Sequence, residues 1–408
     1  MRSTRRRASS GKRIPDRSRR TAPAAPPSAS KQHLPFTTVA GQLIQWFRRV
    51  QRPLPWRQTS DPYAIWISEI MLQQTQVATV IPYWERWMRE VPGVSRLAAL
   101  PLAEGLRLWQ GLGYYRRLRH AIAAAGVIES QHGGVFPTEP AAIAALPGVG
   151  RYTAGAILSI AFNHPAPVVD GNVARVLARC LGIDQPLTQR EVIDRLWSVA
   201  ADLVNAAASL QALAGRRCSE VNQALMELGA LVCTPRSPAC PQCPLASCCR
   251  AYRHNLTDSI PRPKPRPNLV RQTSVALAAF HRGRVWLEQR PDQGVNAGFW
   301  QLPGQELRFS TRGREHRQAA LSLAQRFGIE SLEDLGRLDH TIMNRRITLR
   351  GFRGEAGLRI APQSNPKGGW FAPSAWSRMP IQTSHLELLA RARKKGARAR
   401  KFQVTESV

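Results

Sequence analysis

The sequence is short of negative charge. Only 27 of its 408 residues are Asp or Glu, whereas 58 are Lys or Arg, so the formal net charge at pH 7 is +31. The stretches 1–31 and 391–401 hold about half of this excess, and the rest of the chain is therefore basic as well. Such a balance is typical of a protein that binds a polyanion.

Long hydrophobic runs are also missing. No uninterrupted apolar stretch approaches the roughly 18–20 residues of a membrane helix, which excludes an integral membrane protein. The first thirty residues have no apolar signal-peptide core and are rich in Arg, Ser and Pro, so we interpret 1–36 as a disordered basic arm. Hydrophobic residues still make up 43% of the chain, which excludes a wholly disordered protein.

The seven cysteines are too unevenly spaced for a secreted disulfide framework. Five of them lie within 233–249, and four thiolates in so short a segment are enough to hold a cubane iron–sulfur cluster. Zinc is the alternative, although structural zinc usually uses two close pairs and this segment has a single Cys-x2-Cys. The spacing indicates Cys233, Cys240 and Cys243 as ligands and leaves Cys248 and Cys249 open for the fourth position.

The first half of the chain has a helical pattern. Between about 41 and 250, apolar residues recur at spacings of three and four and are interrupted by Pro and Gly. The longest such segment is 62–88, with Asp61 and Pro62 suited to its start, and the segment 221–232 leads into the cysteines. The alternating prolines of 261–267 are stiff and extended, and they predict a linker.

The pattern changes after this linker. Short apolar runs at 274–280 and 285–289 flank the sequence HRGR, which predicts a β-hairpin. A helical stretch follows at 317–327, and another strand at 347–352. We therefore expect an all-α domain followed by a smaller α/β domain.

The segment 146–155 reads LPGVGRYTAG and lies between two helical patterns. Gly148 and Gly150 permit a tight turn with exposed backbone amides, which bind a phosphate at a helix N-terminus without base preference. A Gly-x-Gly by itself is a weak signal, and an ordinary turn between helices explains it equally well.

Two carboxylates stand out. The Pro-rich loop 165–169 delivers Asp170 to the start of the next helix, although an Asp before a Gly is most often a turn or cap residue. Glu69, in the segment WISEIMLQQTQ at 66–76, falls on the apolar stripe of its helix, where burial would raise its pKa. The alternative is a Glu at the edge of the stripe that reaches water.

Together and in this order, these motifs resemble the helix-hairpin-helix DNA glycosylases with an iron–sulfur cluster, the endonuclease III superfamily. Segments 66–80, GLGYY at 111–115 and MELGA at 226–230 are similar to the adenine DNA glycosylase branch. The resemblance is strong over 41–250. Over 270–390 it is a weaker resemblance to the Nudix-related domain that this branch carries.

The resemblance implies a domain layout. We expect the basic arm at 1–36 to precede a helix-hairpin-helix glycosylase domain at 37–250, which includes a [4Fe-4S] cluster loop at 233–249. A Pro-rich linker at 251–270 and a Nudix-like 8-oxoguanine recognition domain at 271–390 follow, and a basic tail occupies the last part, 391–408.

The resemblance also implies the activity, which is hydrolysis of the N-glycosidic bond of adenine mispaired with 8-oxoguanine or guanine in base excision repair. Lyases of the superfamily place a Lys just after the hairpin, and Tyr152 stands there, so we expect a monofunctional enzyme. By similarity, the catalytic residues are Glu69 as general acid, Asp170 as the anion beside the sugar, and Tyr152 and Asn172 as positioning groups.

The remaining roles that the resemblance implies concern DNA and the cluster. Substrate-binding residues would be Trp56, Arg57, Leu72 and Gln223 around the flipped adenine, Gln74 and Tyr114 as wedges in the duplex, and Gly148 and Gly150 at the phosphate. The cluster ligands would be Cys233, Cys240, Cys243 and Cys249.

In the second domain, the helix at 318–328 lacks the paired Glu residues with which a Nudix hydrolase holds magnesium, so we expect no nucleotide hydrolysis. The branch recognises 8-oxoguanine through a loop after a His-Thr pair. Here His340 and Thr341 are followed by IMNRR, in which Asn344 is the candidate contact to the damaged base. A basic β-turn with general DNA affinity is the alternative.

We expect a monomer in the bacterial cytoplasm, associated with the nucleoid. Its partners would be double-stranded DNA with adenine opposite 8-oxoguanine or guanine and other repair or replication proteins, with no membrane. Three other functions are open to this sequence: a glycosylase for oxidised pyrimidines or mismatched thymine, a non-catalytic DNA-binding protein with a sensor cluster, and a nucleotide-sanitising hydrolase.

Overall fold

The computed structural model describes most of the chain. The described residues are 34–263, 268–307, 313–342, 344–357 and 367–405. The predicted basic arm lies outside them apart from its last three residues, as does the middle of the proline-rich linker. Among the described residues no helix is both long and apolar enough to cross a membrane.

The first part of the chain is helical throughout, as the apolar spacing predicts. Its helices are α1 Phe36–Val50, α2 Pro62–Leu72, α3 Val77–Glu90, α4 Val94–Ala98, α5 Leu102–Trp109, α6 Arg116–His132, α7 Pro140–Ala145, α8 Arg151–Ala156, α9 Gly171–Leu181, α10 Arg190–Ser209, α11 Arg217–Leu231 and α12 Arg250–Arg253. A π-helical turn, Ile157–Ala161, continues α8.

The expectation of one long helical segment at 62–88 is wrong. Asp61 caps α2 as predicted, because its carboxylate accepts hydrogen bonds from the backbone N–H groups of Tyr63 and Ala64. However, α2 ends at Leu72, and the chain turns through Gln74, whose φ is 57°. Since α3 packs on the same side of the core, the apolar spacing continues across the break and conceals it.

Tryptophans form the centre of the helical core. Trp66, Trp87 and Trp109 are almost fully buried, and the rings of Trp87 and Trp109 meet edge to face with their centroids 5.4 Å apart. Large aromatic side chains contribute much of the apolar area that a core buries. The core therefore holds α2, α3 and α5 as a rigid support for the residues at their ends.

The second part is a mixed sheet with helices, as expected for an α/β domain. Its strand order is β3-β2-β1-β6-β5, with β4 paired to β1 and β7 paired to β2, and β1 runs parallel to β6. The elements are β1 Val270–His281, β2 Arg284–Gln289, β3 Trp300–Gln301, β4 Gly304–Leu307, α13 Gly313–Gln325, β5 Glu333–Ile342, β6 Arg345–Glu355, β7 Gly368–Phe371 and α14 Thr383–Thr405.

Alternation along β1 gives the sheet two apolar faces. Val275, Leu277 and Ala279 pack with residues of α13, whereas Ala276 and Ala278 pack with residues of α14. A strand that is buried on both faces has no polar alternation, which explains the continuous apolar run in its sequence. The predicted hairpin is present, since Phe280 pairs with Val285 and His281 with Arg284.

Helices continue across two of the domain boundaries that were expected from the sequence. Helix α12 continues past residue 250 to Arg253, and further along Ile260 is buried and its carbonyl accepts a hydrogen bond from Arg179 of α9. Helix α14 continues through 391–401, so the stretch drawn as a basic tail belongs to the last helix up to Thr405.

Candidate active site

A cavity of about 560 Å³ opens between α2, α8, α11 and the start of α9. This volume is in the range of pockets that enclose a small ligand. Nine of the residues singled out in the sequence line it, although they come from five separate segments: Trp56, Arg57, Glu69, Leu72, Gln74, Tyr152, Asp170, Asn172 and Gln223.

Glu69 lies near the end of α2 and is 5% exposed. Its Oε2 accepts a hydrogen bond of 2.7 Å from the hydroxyl of Tyr152. Burial raises the pKa of Glu69 to about 7, and the charge of Asp170 adds to this rise, whereas the Tyr152 hydrogen bond and Arg57 oppose it. A substantial fraction of this carboxyl group is therefore protonated at neutral pH.

Tyr152 is the second residue of α8. Burial raises the pKa of its phenol well above the ordinary value, and the neighbouring Glu69 and Asp170 raise it further. The hydroxyl, which also lies 3.5 Å from the sulfur of Met226, therefore stays neutral and acts as a donor to Glu69.

Asp170 is the N-cap of α9. Its Oδ1 accepts a hydrogen bond of 2.7 Å from the backbone N–H of Val173, and its Oδ2 accepts one of 2.9 Å from the side-chain amide of Asn172. Burial raises the pKa of Asp170, and these two hydrogen bonds act against that rise. The cap and the amide together fix both oxygens of the carboxylate at the edge of the cavity.

The sequence analysis did not predict the ion pair between Arg57 and Glu227. Glu227 of α11 is 1% exposed and accepts hydrogen bonds from both Arg52 and Arg57. Burial alone would raise the pKa of Glu227, but the two guanidinium groups outweigh burial and lower that pKa to about 2. Arg57 also donates to the side chain of Gln223, 3.0 Å away. A signal for this pair was present in the sequence, since Glu227 falls among the buried apolar positions of α11 and a buried carboxylate needs a partner.

Removing the charge of Glu227 tests this pairing. We expect Glu227→Gln to lower the free energy of unfolding at pH 7 by about 3 kcal/mol, because two guanidinium groups lose their buried partner. Glu220→Gln is the matched control, since Glu220 also lies on α11 and pairs with Arg48, but in a more exposed position. Urea unfolding of both variants measures the difference, and equal losses would contradict the prediction.

Helix α9 connects Asp170 to the cysteine segment through two arginines that the sequence did not single out. Arg175 donates to the side-chain oxygen of Asn172 and to the carbonyl of Cys233, each over 2.8 Å. One turn later, Arg179 lies 3.3 Å from the sulfur of Cys233 and donates to the carbonyl of Thr234. The available signal was the spacing, since Arg175 lies three residues after Asn172 and Arg179 four residues after Arg175.

The four cysteines inferred as ligands line one small cavity of about 20 Å³, together with Cys180 and Arg179. Cys248 is not in that lining, and its sulfur lies 3.4 Å from the carbonyl of Leu245. No group of three or more His, Cys, Asp or Glu side chains within the described ranges converges on one metal ion. A cubane binds each of its four thiolates through a different iron atom, so a shared cavity is the relevant fit. Four thiols around one cavity are a donor set whose chemistry suits such a group.

The hairpin turn lies outside the 560 Å³ cavity. Gly148 and Gly150 are exposed between α7 and α8. Gly148 has φ 75°, and a Cβ there would lie 2.4 Å from the Cβ of His120, so both conformation and space require glycine. Gly150 is the N-cap of α8, and backbone N–H groups at the start of a helix are a position where a phosphate can bind.

Gln74 and Tyr114 occupy two turns with unusual backbone conformations. Their φ values are 57° and 47°, in a region that side chains other than Gly rarely adopt. Tyr114 is 45% exposed, and only Gln74 of the two lines the cavity. The guanidinium group of Arg117 ties both turns together by donating to six backbone carbonyls, those of Ile70, Met71, Gln73, Leu112, Gly113 and Tyr114.

Asn344 lies in the other domain and is not part of the cavity. It occupies the exposed turn between β5 and β6, and its side-chain amide lies 3.4 Å from the carbonyl of Asn268. Its own carbonyl accepts a hydrogen bond from the N–H of Val270.

Comparison with known proteins agrees with this arrangement. Residues 67–202 match the model of the HhH-GPD superfamily of base excision DNA repair proteins, and 275–391 match the NUDIX domain. The adenine DNA glycosylase of Mus musculus is 35% identical, over 88% of this chain and 79% of its own length. The adenine DNA glycosylase of Homo sapiens is 33% identical, over 88% of this chain and 75% of its own. Among solved structures, a thermostable thymine-DNA glycosylase is 27% identical with a TM-score of 0.47, over 53% of this chain and 96% of that one.

The helical fold, the hairpin turn and the buried carboxyl pair define a helix-hairpin-helix DNA glycosylase with a Nudix-like second domain. Its extensive similarity to curated relatives narrows the class further. The chain belongs to the adenine DNA glycosylase family, enzymes of base excision repair that hydrolyse the N-glycosidic bond of adenine in DNA.

Proposed function

We propose that the enzyme excises adenine paired with 8-oxoguanine or guanine, that it is monofunctional, and that Glu69 is its general acid. The observation that carries this proposal is the burial of Glu69 beside Tyr152 in a cavity that also contains Asp170. An adenine inside a duplex cannot reach these groups, so the nucleotide must rotate out of the stack into the cavity.

Adenine is a poor leaving group, and protonation makes its departure easier. Glu69 gives its proton to N7, the bond between C1′ and N9 breaks, and its electron pair goes to the base. Tyr152 orients the carboxyl group through the hydrogen bond of 2.7 Å. Because the pKa of Glu69 is raised to about 7, the acid form is available at the pH of the cell.

The departing base leaves positive charge on the sugar. Asp170 supplies the compensating negative charge, held by Asn172 and by the N-terminus of α9. Water then adds to C1′, and its proton returns to the carboxylate of Glu69, which regenerates the acid.

The adenine itself would contact Trp56, Leu72 and Gln223, which line the same cavity as Asp170. Arg57, which also lines it, is fixed by Glu227. Gln74 and Tyr114 would enter the duplex in place of the rotated nucleotide. Their turns suit this role, because Arg117 holds both in place before DNA arrives.

The proposal that the enzyme has no lyase activity rests on the residues that line the cavity. A lyase needs a neutral amine at the sugar to form a Schiff base. None of the described residues that line the cavity is a lysine, and Tyr152 occupies the position after the hairpin. A phenol cannot form an imine, so the enzyme would leave an intact strand with an abasic site.

Recognition of 8-oxoguanine is assigned to the turn between β5 and β6. Asn344 is exposed there with an amide that can pair with a base, and Arg345 and Arg346 follow it. The pair of arginines favours a phosphate contact beside the base contact.

We also propose that Cys233, Cys240, Cys243 and Cys249 hold a [4Fe-4S] cluster. Bound there, it would cross-link the segment after α11 through four thiolates and take no part in base removal. Arg179 lies beside the sulfur of Cys233, and Arg175 donates both to the carbonyl of Cys233 and to the side chain of Asn172. A cluster bound to Cys233 would therefore also help to hold Asn172 in place.

Replacing Cys240 by Ala removes one proposed ligand. We expect the thermal unfolding temperature, the iron content and DNA affinity to fall together, because binding of a group by four ligands contributes directly to folding. Cys248→Ala is the matched control, since its sulfur does not line the cavity. Iron analysis, thermal unfolding and DNA titration test both variants. A normal iron content in Cys240→Ala would rule out this ligand set.

The experiment that tests the whole proposal is a single-turnover assay on three duplexes. They carry adenine opposite 8-oxoguanine, adenine opposite guanine, and thymine glycol opposite adenine, each analysed with and without hot alkali. We expect alkali-dependent breaks at adenine, fastest opposite 8-oxoguanine. Cleavage without alkali, or preferred cleavage at thymine glycol, would overturn the proposed function.

A further inference from the structure

A phenylalanine of the second domain belongs to the core of the first. Phe299 precedes β3, yet it is fully buried in the same hydrophobic cluster as Leu106, Trp109 and Leu118 of the helical part. Its ring lies against that of Tyr115, with centroids 4.4 Å apart. A side chain buried in this way mechanically links the two domains.

The segment that carries Phe299 is anchored in the sheet of its own domain. The backbone N–H of Arg290 donates to the carbonyl of Phe299, and that of Trp300 donates to the carbonyl of Pro380, each over 2.8 Å. The side chain of Gln289 donates to the carbonyl of Gly298. Phe299 is therefore held by strands β2 and β3 rather than by a free loop.

The segment that carries Phe299 contacts the helical part at the first turns of α6. Arg119 donates to the carbonyl of Ala297 over 2.8 Å. Gly298 has φ 76°, and a Cβ there would lie 3.1 Å from a guanidinium nitrogen of Arg119 and 3.6 Å from Leu106. The backbone thus approaches α6 closely, which seats Phe299 against Tyr115.

Tyr115 supports the turn that presents Tyr114. Its hydroxyl accepts a contact of 3.4 Å from the N–H of Gly111, at the start of this turn. Tyr83 holds the same region from another side by donating to the carbonyl of Gln110 over 2.8 Å. The ring of Tyr114 remains 45% exposed, with Arg117 beneath it.

We propose that Phe299 is a positioning residue for Tyr114. It fixes Tyr115, and so the turn at 111–115, in the conformation that enters the duplex. This inference rests on the proposed function, because it assumes that Tyr114 enters the duplex. The second domain would then assist adenine removal through the helical part, independently of the base opposite the adenine.

This independence of the base opposite the adenine distinguishes the proposed role of Phe299 from that of Asn344. A contact to 8-oxoguanine matters only when 8-oxoguanine is present. A support for the wedge matters equally for adenine opposite 8-oxoguanine and adenine opposite guanine.

The test uses the full-length Phe299→Leu variant and duplexes with 2-aminopurine next to the mismatch, whose fluorescence rises when the base is unstacked. We expect a smaller rise on binding and a single-turnover rate lowered about 3- to 10-fold on both mismatches, the range for loss of one aromatic pair. Phe327→Leu is the matched control, since Phe327 is equally buried in the second domain but packs only within it. We expect Phe327→Leu to leave the fluorescence rise at the wild-type level.

A second variant tests the contact itself. If Phe299 acts through Tyr115, Tyr115→Leu combined with Phe299→Leu lowers the rate no further than Tyr115→Leu alone. A wild-type fluorescence rise in Phe299→Leu, additive losses in the double variant, or a loss confined to 8-oxoguanine would overturn the inference. A wild-type enzyme that fails to excise adenine would instead overturn the proposed function.

Discussion

Replacing Glu69 by Gln is expected to slow adenine release about 10²- to 10⁴-fold, the usual contribution of general acid catalysis. Gln preserves the shape of the side chain, and its oxygen still accepts the hydrogen bond from Tyr152. It has no proton to give to N7. The measurement is the single-turnover rate of base release from adenine opposite 8-oxoguanine, with DNA affinity measured in parallel.

Glu90→Gln is the control for this change. It makes the same chemical substitution at an exposed position at the end of α3, away from the cavity. We expect it to retain the wild-type rate, and both variants to bind the mismatch. A parallel loss of binding and turnover in Glu69→Gln would contradict the assignment of a general acid.

The pH dependence follows from the same group. If Glu69 is the general acid, as proposed, only its protonated form is active, and the rate is expected to fall as pH rises through about 7. The folded state holds this proton more tightly than the unfolded state does, so stability falls as pH rises from about 4.5 to about 7.

Glu69→Gln removes that dependence. At pH 8 we expect the variant to be more stable than the wild type by up to about 3 kcal/mol, the equivalent of a shift from about 4.5 to about 7. At pH 4 the two should be similar. Urea unfolding at both pH values checks this, and an equal difference at both would show that titration of Glu69 is not the cause.

Replacing Asp170 by Asn is expected to lower the rate of adenine release about 10³-fold. The change removes the negative charge beside the sugar, and loss of one electrostatic contact in an active site typically costs 10²- to 10³-fold. The fold should survive, because Asn is as good an N-cap as Asp and can still accept from Val173. Single-turnover kinetics and thermal unfolding together provide the measurement.

The chain offers a close control in Asp61. This residue caps α2 in the same way, accepting from the N–H groups of Tyr63 and Ala64, but it does not line the cavity. We expect Asp61→Asn to keep the wild-type rate. If Asp61→Asn and Asp170→Asn lowered the rate equally, Asp170 would be a helix cap and nothing more.

Local pattern was enough to predict much of this molecule. The cap at Asp61, the hairpin around Arg282 and Gly283 and the start of α9 after Asp170 each depend on residues within a few positions of one another. Such features follow from local hydrogen bonds and backbone preferences, which a sequence states directly.

The break after Leu72 shows where local pattern was insufficient. Its apolar spacing is compatible with one helix or with two, and packing of α3 on the core selects two. The positive φ of Gln74 falls at this break, beside the Gln73 carbonyl that accepts a hydrogen bond from Arg117.

Contacts between residues that are distant in sequence can be read only from the folded chain. The same holds for the pKa values that depend on those contacts. Tyr152 meets Glu69 across 83 residues, Arg57 meets Glu227 across 170, and Phe299 enters a core built from another domain. The residues proposed to do the chemistry were singled out in the sequence through the resemblance that their motifs carry together. Which of them touch, and therefore which carboxyl group keeps its proton near pH 7, depends on burial, and burial arises only when distant segments pack together.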